Sequence, residues 1–322
     1  MSKAQARQDG AAGGANTLPP HVLYTVFVFI MLLLSCRTAP PVMPNMDGEV
    51  FFIPLEPGGL IYIFIDTEGA RPILDNLSFR GMDTDDRQFR RILDSTSHAM
   101  AAVYSEPAGS RIRLVAQGRY PSGRARMAMR SSRHWRGHRS QAAGVRYWHS
   151  AAGMISVTMS RSEALLSTSI CDAPVDPFYA GPGTRMPEGF DAFRRGTVIS
   201  CWIENPGMFI NQRLGEMHIP FEIPAEQFFI GLFPVSGTPG PNYEVYLRIQ
   251  VANENQARGF ASLLALARAM FTPPANMGSN IAAVLMSILL ANPTVAEGRY
   301  LHIRTSAMNA DEVSLLFSQL LP

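Results

Sequence analysis

The chain has 322 residues, of which 47% are apolar and 17% charged, and its formal net charge at pH 7 is +2. This composition is typical of a folded globular protein and excludes an intrinsically disordered chain. The near-neutral charge gives no reason to expect a polyanion as the principal partner. The length is enough for one large core or two modest cores.

The first 35 residues have the order of a secretory signal peptide. Lys3 and Arg7 precede an apolar run over residues 22–34, and the small residue Ser35 follows it. The run is about 13 residues long, whereas a helix needs roughly 20 to span a bilayer. We therefore predict that residues 1–35 are a signal peptide and are removed.

Leu33, Leu34, Ser35 and Cys36 resemble the lipobox of bacterial lipoproteins, in which the cysteine is diacylated and the chain is cut before it. The bulky Leu34 makes the motif similar to the relaxed boxes of spirochaete lipoproteins. This resemblance covers about the first 40 residues. It implies lipidation at Cys36 and a lipid-anchored domain on the periplasmic side. Arg37, where enteric bacteria place a retention aspartate, favours the outer over the inner membrane. The alternative is an ordinary signal peptide followed by a free cysteine.

Two cysteines remain if Cys36 is acylated. Cys171 and Cys201 would enclose a loop of about 30 residues, and an even pair in an oxidising compartment is a candidate disulfide. Two buried free thiols are the alternative.

Lysine is absent after Lys3. Arginine does not lose its proton near neutral pH, so the mature chain cannot contain a P-loop lysine, a Schiff base or a Ser-Lys dyad. The sequence also lacks the GxSxG, HExxH, GxGxxG and CxxC motifs. Catalysis is therefore not favoured, and no cofactor is predicted.

Two segments of the chain share an order of local patterns. Residues 59–74 and 196–210 each read as a strand, an acid and a turn with glycine, and RYWH at 146–149 recurs as RYLH at 299–302. We predict an α+β fold of two duplicated halves, each a meandering antiparallel sheet with helices on one face. Chance similarity is the alternative. The predicted boundaries are 36–48 for the lipidated cysteine and proline-rich tether, 49–170 for the first half, 171–195 for a Pro/Gly-rich linker and 196–322 for the second half.

Helices are predicted over residues 85–97, 121–129, 255–270, 280–291 and 310–321, the last capped by Asn309. The acids at 83–86 suggest a calcium loop, but Gln88 and Asp94 occupy the positions where an EF-hand needs glycine and glutamate. A helix N-terminus with Asp83 or Thr84 as its cap explains the same residues.

A basic segment is the most unusual feature of the sequence. Ten arginines and no acidic residue lie between Arg111 and Arg146. The segment is either a solvated mobile loop or a site for anionic lipid headgroups or an envelope polymer, with Trp135 as an interfacial ring. A zinc site on the two histidines is not favoured, because arginines would repel the dication. The candidate anion-binding residues are Arg130, Arg133, His134, Arg136, His138 and Arg139.

Two further sets of residues have two interpretations each, one functional and one as residues that pack in the core. RYWH and RYLH suggest twin acid/base sites, but strand residues that pack in the core are the favoured explanation. The residues concerned are Tyr147, His149, Tyr300 and His302. The apolar helix at 280–291 packs between the 255–270 helix and the sheet, or it walls a cavity for an apolar ligand. That candidate wall comprises Ile281, Val284, Leu285 and Ile288.

The sequence thus predicts a lipid-anchored envelope protein that works by binding, as a scaffold or interaction module. The alternative is a carrier of lipid or another apolar ligand, and a third reading is a hydrolase without a recognisable motif. The expected partners are the membrane, through Cys36, and an envelope protein or anionic lipid. Nucleic acid is not expected, because the compartment lacks it.

Overall fold

Strands are the commonest regular elements in the described part of the chain. The computed structural model describes residues 55–76, 93–106, 109–141, 144–151, 155–168, 184–204, 206, 211, 224–237, 240–270, 290 and 292–314. The strands are β1 (Ile61–Asp66), β2 (Thr96–Glu106), β3 (Gly109–Gly118), β4 (Trp135–Arg139), β5 (Arg146–Ser150), β6 (Ser156–Met159), β7 (Glu163–Ser167), β8 (Ile199–Glu204), β9 (Gln227–Val235), β10 (Asn242–Gln250), β11 (Val295–Glu297), β12 (Tyr300–Arg304) and β13 (Met308–Asn309). The helices are α1 (Arg71–Leu74), α2 (Ser122–Ser131), α3 (Phe190–Arg194) and α4 (Glu254–Met270).

These strands join one antiparallel sheet. Its order is β11-β12-β10-β9-β8-β1-β2-β3-β7-β6-β5-β4, and β13 pairs with β10. At the centre β1 pairs with β8, with Ile61 opposite Ile203 and Ile65 opposite Ile199. The sequence predicts a sheet in each half, whereas the structure joins strands of both halves in a single sheet. A large antiparallel sheet with a few helices agrees with the predicted α+β class.

The sheet does not establish the predicted duplication. A meander of three strands runs outward on each side of the central pair, β1-β2-β3 and β8-β9-β10. Beyond these meanders the two arms differ. The strand next to β10 is β12, which holds RYLH, whereas the strand next to β3 is β7, and RYWH lies in β5. The duplication and the domain boundaries remain predictions.

Helix α4 covers one face of the sheet. Ala257, Phe260 and Leu264 recur at helical spacing, are buried, and pack against the inward residues of β10 and β12. The predicted 255–270 helix is confirmed. On the same face, residues 310–314 begin a helix where the sequence predicts one. Asn309 caps it: its Oδ1 accepts the N–H of Glu312 at 2.9 Å, while Glu312 Oε2 accepts the N–H of Asn309 at 2.9 Å.

An aromatic core covers the other face. Tyr62 and Trp202 stack with their ring centroids 4.4 Å apart. Phe190 and Phe193 of α3 pack against this pair and against Phe229. Phe190 and Phe193 lie within the predicted linker at 171–195, and α3 buries both of them in this core. The sequence signal was the spacing of two phenylalanines in a segment otherwise rich in proline and glycine.

Helix α2 covers the outer strands β5, β6 and β7. Ala125 and Met129 are buried against Trp148 and Val157. The predicted helix at 121–129 is confirmed, with its end at Ser131. The predicted helix at 85–97 is too long, because residues 93–95 are helical and Thr96 begins β2. Pairing with β3, from Thr96 opposite Gly118 onward, takes these residues into the sheet.

Several predicted features lie outside the described residues. They are the signal peptide, Cys36 and the tether, the acids at 83–86, Cys171, and the apolar wall of Ile281, Val284, Leu285 and Ile288. Among the residues that the structure describes, no helix is long and apolar enough to cross a membrane.

Candidate functional site at the arginine-rich sheet edge

The C-terminal end of the basic segment lies in a β-hairpin at one end of the sheet. Strands β4 and β5, here called the edge ribbon, are joined by a turn in which the N–H of Ser140 donates to the carbonyl of Val145 at 2.8 Å. Gly144 has φ of +66° in this turn, a conformation that glycine adopts without strain. Arg139 Nε donates to the Gly144 carbonyl at 2.9 Å. The expectation of a solvated loop is therefore wrong for the residues of β4.

Strand alternation distributes the ribbon's side chains between two faces. On the face covered by α2, Arg139 lies opposite Arg146 and Gly137 opposite Trp148. On the other face, Arg136 and His138 lie opposite His149 and Tyr147. The cations of β4 are solvent-exposed on both faces.

A positively charged cleft lies on the helix-bearing face. Its volume is about 650 Å³, and Arg130 of α2, Arg139 and Arg146 line it. Like charges directly opposite each other on neighbouring strands are destabilising, and no acidic residue is among the described residues that line the cleft. Arginine presents donors in a fork that fits carboxylate and phosphate groups. The cleft is therefore suited to an anion.

The tryptophans of the ribbon are core residues. Trp135 and Trp148 are only 6% and 3% exposed and pack in the cluster beneath α2. The predicted interfacial role of Trp135 is therefore wrong, because alternation turns its ring towards the helix-bearing face. Arg133 and His134, which precede β4, are exposed.

The histidines of this region are held by neighbours on the ribbon. His138 stacks on Tyr147 with centroids 5.4 Å apart, and His149 Nδ1 lies 2.6 Å from Ser156 Oγ. His138 and His149 meet edge to face at 6.1 Å. In the part of the chain that the structure describes, no three His, Cys, Asp or Glu side chains gather as a metal site would require.

The RYLH copy lies near the opposite end of the sheet. The hydroxyl of Tyr246 in β10 forms a hydrogen bond with His302 Nδ1, and the two rings stack at 5.9 Å. Burial lowers the pKa of His302, and the nearby cation Arg248 lowers it further. Tyr300 contacts His302 at 6.4 Å between centroids. The structure does not bring the two predicted acid/base pairs together, because β5 and β12 lie in opposite arms of the sheet.

A smaller cleft of about 230 Å³ contains Asp66, His98 and Ser200. Asp66 and His98 are cross-strand neighbours, but Ser200 lies on β8, with β1 between it and β2. Two strand spacings are roughly 10 Å, beyond the hydrogen-bond reach of a nucleophile and its base. Asp66 Oδ1 accepts the N–H of Glu68 at 3.1 Å, as in a turn. These residues do not form a Ser-His-Asp arrangement.

Cys201 lies in β8 and is half-buried. Burial raises the pKa of the thiol to about 12, so the reactive thiolate is scarce near neutral pH. The disulfide with Cys171 remains a prediction.

The sequence missed two arginine roles. Arg146 joins the cleft through its pairing with Arg139, and Gly144 was the signal for the hairpin that pairs them. Arg113 is fully buried, and its Nη1 lies 3.0 Å from Glu56 Oε1. Nothing in the sequence linked these two residues.

The fold is similar to that of TP0453, a lipoprotein of the spirochaete Treponema pallidum. Three of its crystal forms, I, III and IV, match with TM-scores of 0.53, 0.53 and 0.55 at 17%, 16% and 17% identity. They cover 81–82% of this chain and 93–95% of theirs. At this identity the likeness concerns the fold. No protein-family model matches the chain, and no curated protein matches its sequence.

Proposed function

We propose that this chain is a lipid-anchored protein of the cell envelope that works by binding, as a scaffold or interaction module. The observation that carries the proposal is the edge ribbon, where Arg139 faces Arg146 and exposed cations stand without acidic residues in the same segment. The lipobox-like residues before Cys36 and the fold shared with a spirochaete lipoprotein support the envelope setting. The domain would lie on the periplasmic side, and Arg37 favours the outer membrane.

Lipid anchoring is tested by labelling cells that express the full chain with radioactive palmitate. Label should enter the wild type and disappear in Cys36→Ala, because acylation needs that thiol. Cys201→Ala is the matched control and should keep the label. An unlabelled wild type would remove the lipoprotein from the proposal.

The binding role is tested by crosslinking in cells. Arg133→Cys in a Cys171→Ser background places a reactive thiol beside the edge ribbon, and the Cys201 thiol, whose pKa is raised by burial, should not compete with it. A thiol-directed photocrosslinker should give one dominant protein adduct. Arg268→Cys on the exposed side of α4 is the control and should not give that adduct. Identical adduct patterns at the two positions would contradict a contact surface at the ribbon.

A carrier of lipid or another apolar ligand is the second candidate. Leu263, Leu266 and Met270 are 63%, 58% and 75% exposed along one side of α4, so this helix has more apolar surface than the sheet covers. The predicted wall at Ile281, Val284, Leu285 and Ile288 follows closely in the chain. Native mass spectrometry of gently purified protein should find a bound lipid if this candidate is correct, and a clean apo mass would oppose it.

A further inference from the structure

The outer edge of β4 is open in the described part of the chain, where β4 pairs only with β5. The N–H of Ala151 donates to the carbonyl of His134 at 2.8 Å, and the N–H of Ser140 donates to the carbonyl of Val145 at 2.8 Å. In an antiparallel pair, residues alternate between bonding to the partner and pointing away from it. The even-numbered residues of β4 therefore bond to β5.

Gly137 and Arg139 point their backbone groups outward, whereas the N–H of Trp135 donates to the carbonyl of Ser132. Gly137 lies at the centre of this edge, and Arg139 follows it. A β-carbon added at Gly137 would have Trp148 Nε1 as its nearest neighbour, at 3.9 Å, so packing within the chain does not require a glycine there. A glycine inside a strand often marks a place where another backbone approaches closely.

Cations flank this edge on both sides. Arg136 projects to one face, and Arg139 lies with Arg146 on the other. A flat membrane surface would meet one of these faces. A strand laid along the edge would send alternate side chains to both faces, and so bring an acidic residue to each set of cations.

We propose that β4 docks an extended acidic segment of another envelope protein, which adds to the sheet as a further strand. Outward backbone groups around Gly137 supply the main-chain bonds, and the flanking arginines select a segment with acids on both of its faces. This inference rests on the proposed binding function and names the class of partner. A charged edge that only prevents self-association is the competing explanation.

The test measures fluorescence anisotropy of a labelled peptide, acetyl-Glu-Glu-Val-Val-Glu-Glu, with the full chain in detergent. This peptide places acids on both faces of a strand. We expect saturable binding that weakens as salt is added. The same peptide with proline in place of its first valine keeps the charge but loses a donor, and it should bind at least tenfold more weakly.

Variants separate charge from strand pairing. Gly137→Pro removes an outward donor without altering the bonds to β5 or any charge, and it should weaken binding roughly tenfold. The pair Arg136→Gln with Arg139→Gln should weaken it by a similar factor. Arg258→Gln with Arg268→Gln on α4 makes the same change in charge and should leave binding intact. Circular dichroism checks that each variant folds.

Three results would overturn the inference. One is no binding of the peptide, as a purely protective edge predicts. Another is equal binding of the valine and proline peptides, which would leave only charge attraction. The third is binding of the protein to vesicles of equal parts phosphatidylcholine and phosphatidylglycerol that is as salt-sensitive as its binding to the peptide. If Gly137→Pro does not reduce this vesicle binding, the ribbon contacts a membrane surface. Palmitate labelling is independent of all three results. The proposal of a lipid-anchored envelope protein would therefore still hold if the acidic partner were ruled out.

Discussion

Gly118 shows how one residue limits the sheet. It ends β3, and a β-carbon added there would lie 1.9 Å from the backbone oxygen of Ser95. Because that contact is with backbone and not with a flexible side chain, β2 or β3 would have to move. Gly118→Ala should therefore lower the free energy of unfolding by roughly 2–4 kcal/mol, measured by urea denaturation.

Gly259 supplies the matched control. It lies inside α4, and a β-carbon there would meet nothing within 4 Å. Gly259→Ala should raise the free energy of unfolding by about 0.5–1 kcal/mol, because alanine favours the helix. Similar losses at both positions would contradict the role given to Gly118.

His302 should make stability depend on pH. Its folded pKa is lowered by burial and by Arg248 and Arg304, while Glu297 acts in the opposite direction. Below the ordinary histidine pKa of about 6.5, the unfolded chain binds a proton that the folded chain resists, so stability falls as the pH decreases through this range.

The measurement compares urea unfolding of the wild type and His302→Gln at pH values from about 7.5 to about 5. The wild type should lose more stability on acidification than the variant. Tyr246→Phe keeps the aromatic ring but removes the hydroxyl that is hydrogen-bonded to His302, and this variant should retain a pH dependence. Parallel curves for the wild type and His302→Gln would rule out this role for His302.

At the scale of elements, periodicity was sufficient for α4, because its apolar spacing buries one side of the helix against the sheet. Helix α2 was predicted from its place in the proposed duplication and not from its own pattern. Helix α3 could not be read from the sequence, because its five residues are too few for a periodic pattern. Two buried phenylalanines, Phe190 and Phe193, hold it in place.

The cap at Asn309 gives an element-scale prediction. Asn309→Ala removes the acceptor for the N–H of Glu312 and should cost about 1 kcal/mol in unfolding free energy. Glu312→Gln keeps an acceptor for the N–H of Asn309 and should cost much less. Both free energies are measured by urea denaturation. Equal losses of unfolding free energy in the two variants would mean that other contacts anchor this helix, such as the hydrogen bond from the Ser314 hydroxyl to the Ile73 carbonyl.

For the whole molecule, the shared sheet predicts a single cooperative unfolding transition. The pair β1 and β8 joins the predicted halves in the interior, so one half cannot unfold without exposing the core of the other. In Trp202→Phe, fluorescence comes from Trp135 and Trp148 in the edge ribbon, while circular dichroism follows all elements. The fluorescence and circular-dichroism transitions should have the same urea midpoint. An earlier fluorescence transition would favour halves that unfold separately.

The sequence by itself determined the local features of this protein: strand alternation, the face of α4, the cap at Asn309 and the density of arginine near the ribbon. These depend on residues within a few turns of one another. Only the tertiary structure decided that β4 ends the sheet, that Arg139 faces Arg146, and that β1 pairs with β8. Such pairings depend on the register between separate strands, and a period of two allows many registers. For β1 and β8, the contacts that select one register are between residues far apart in the chain.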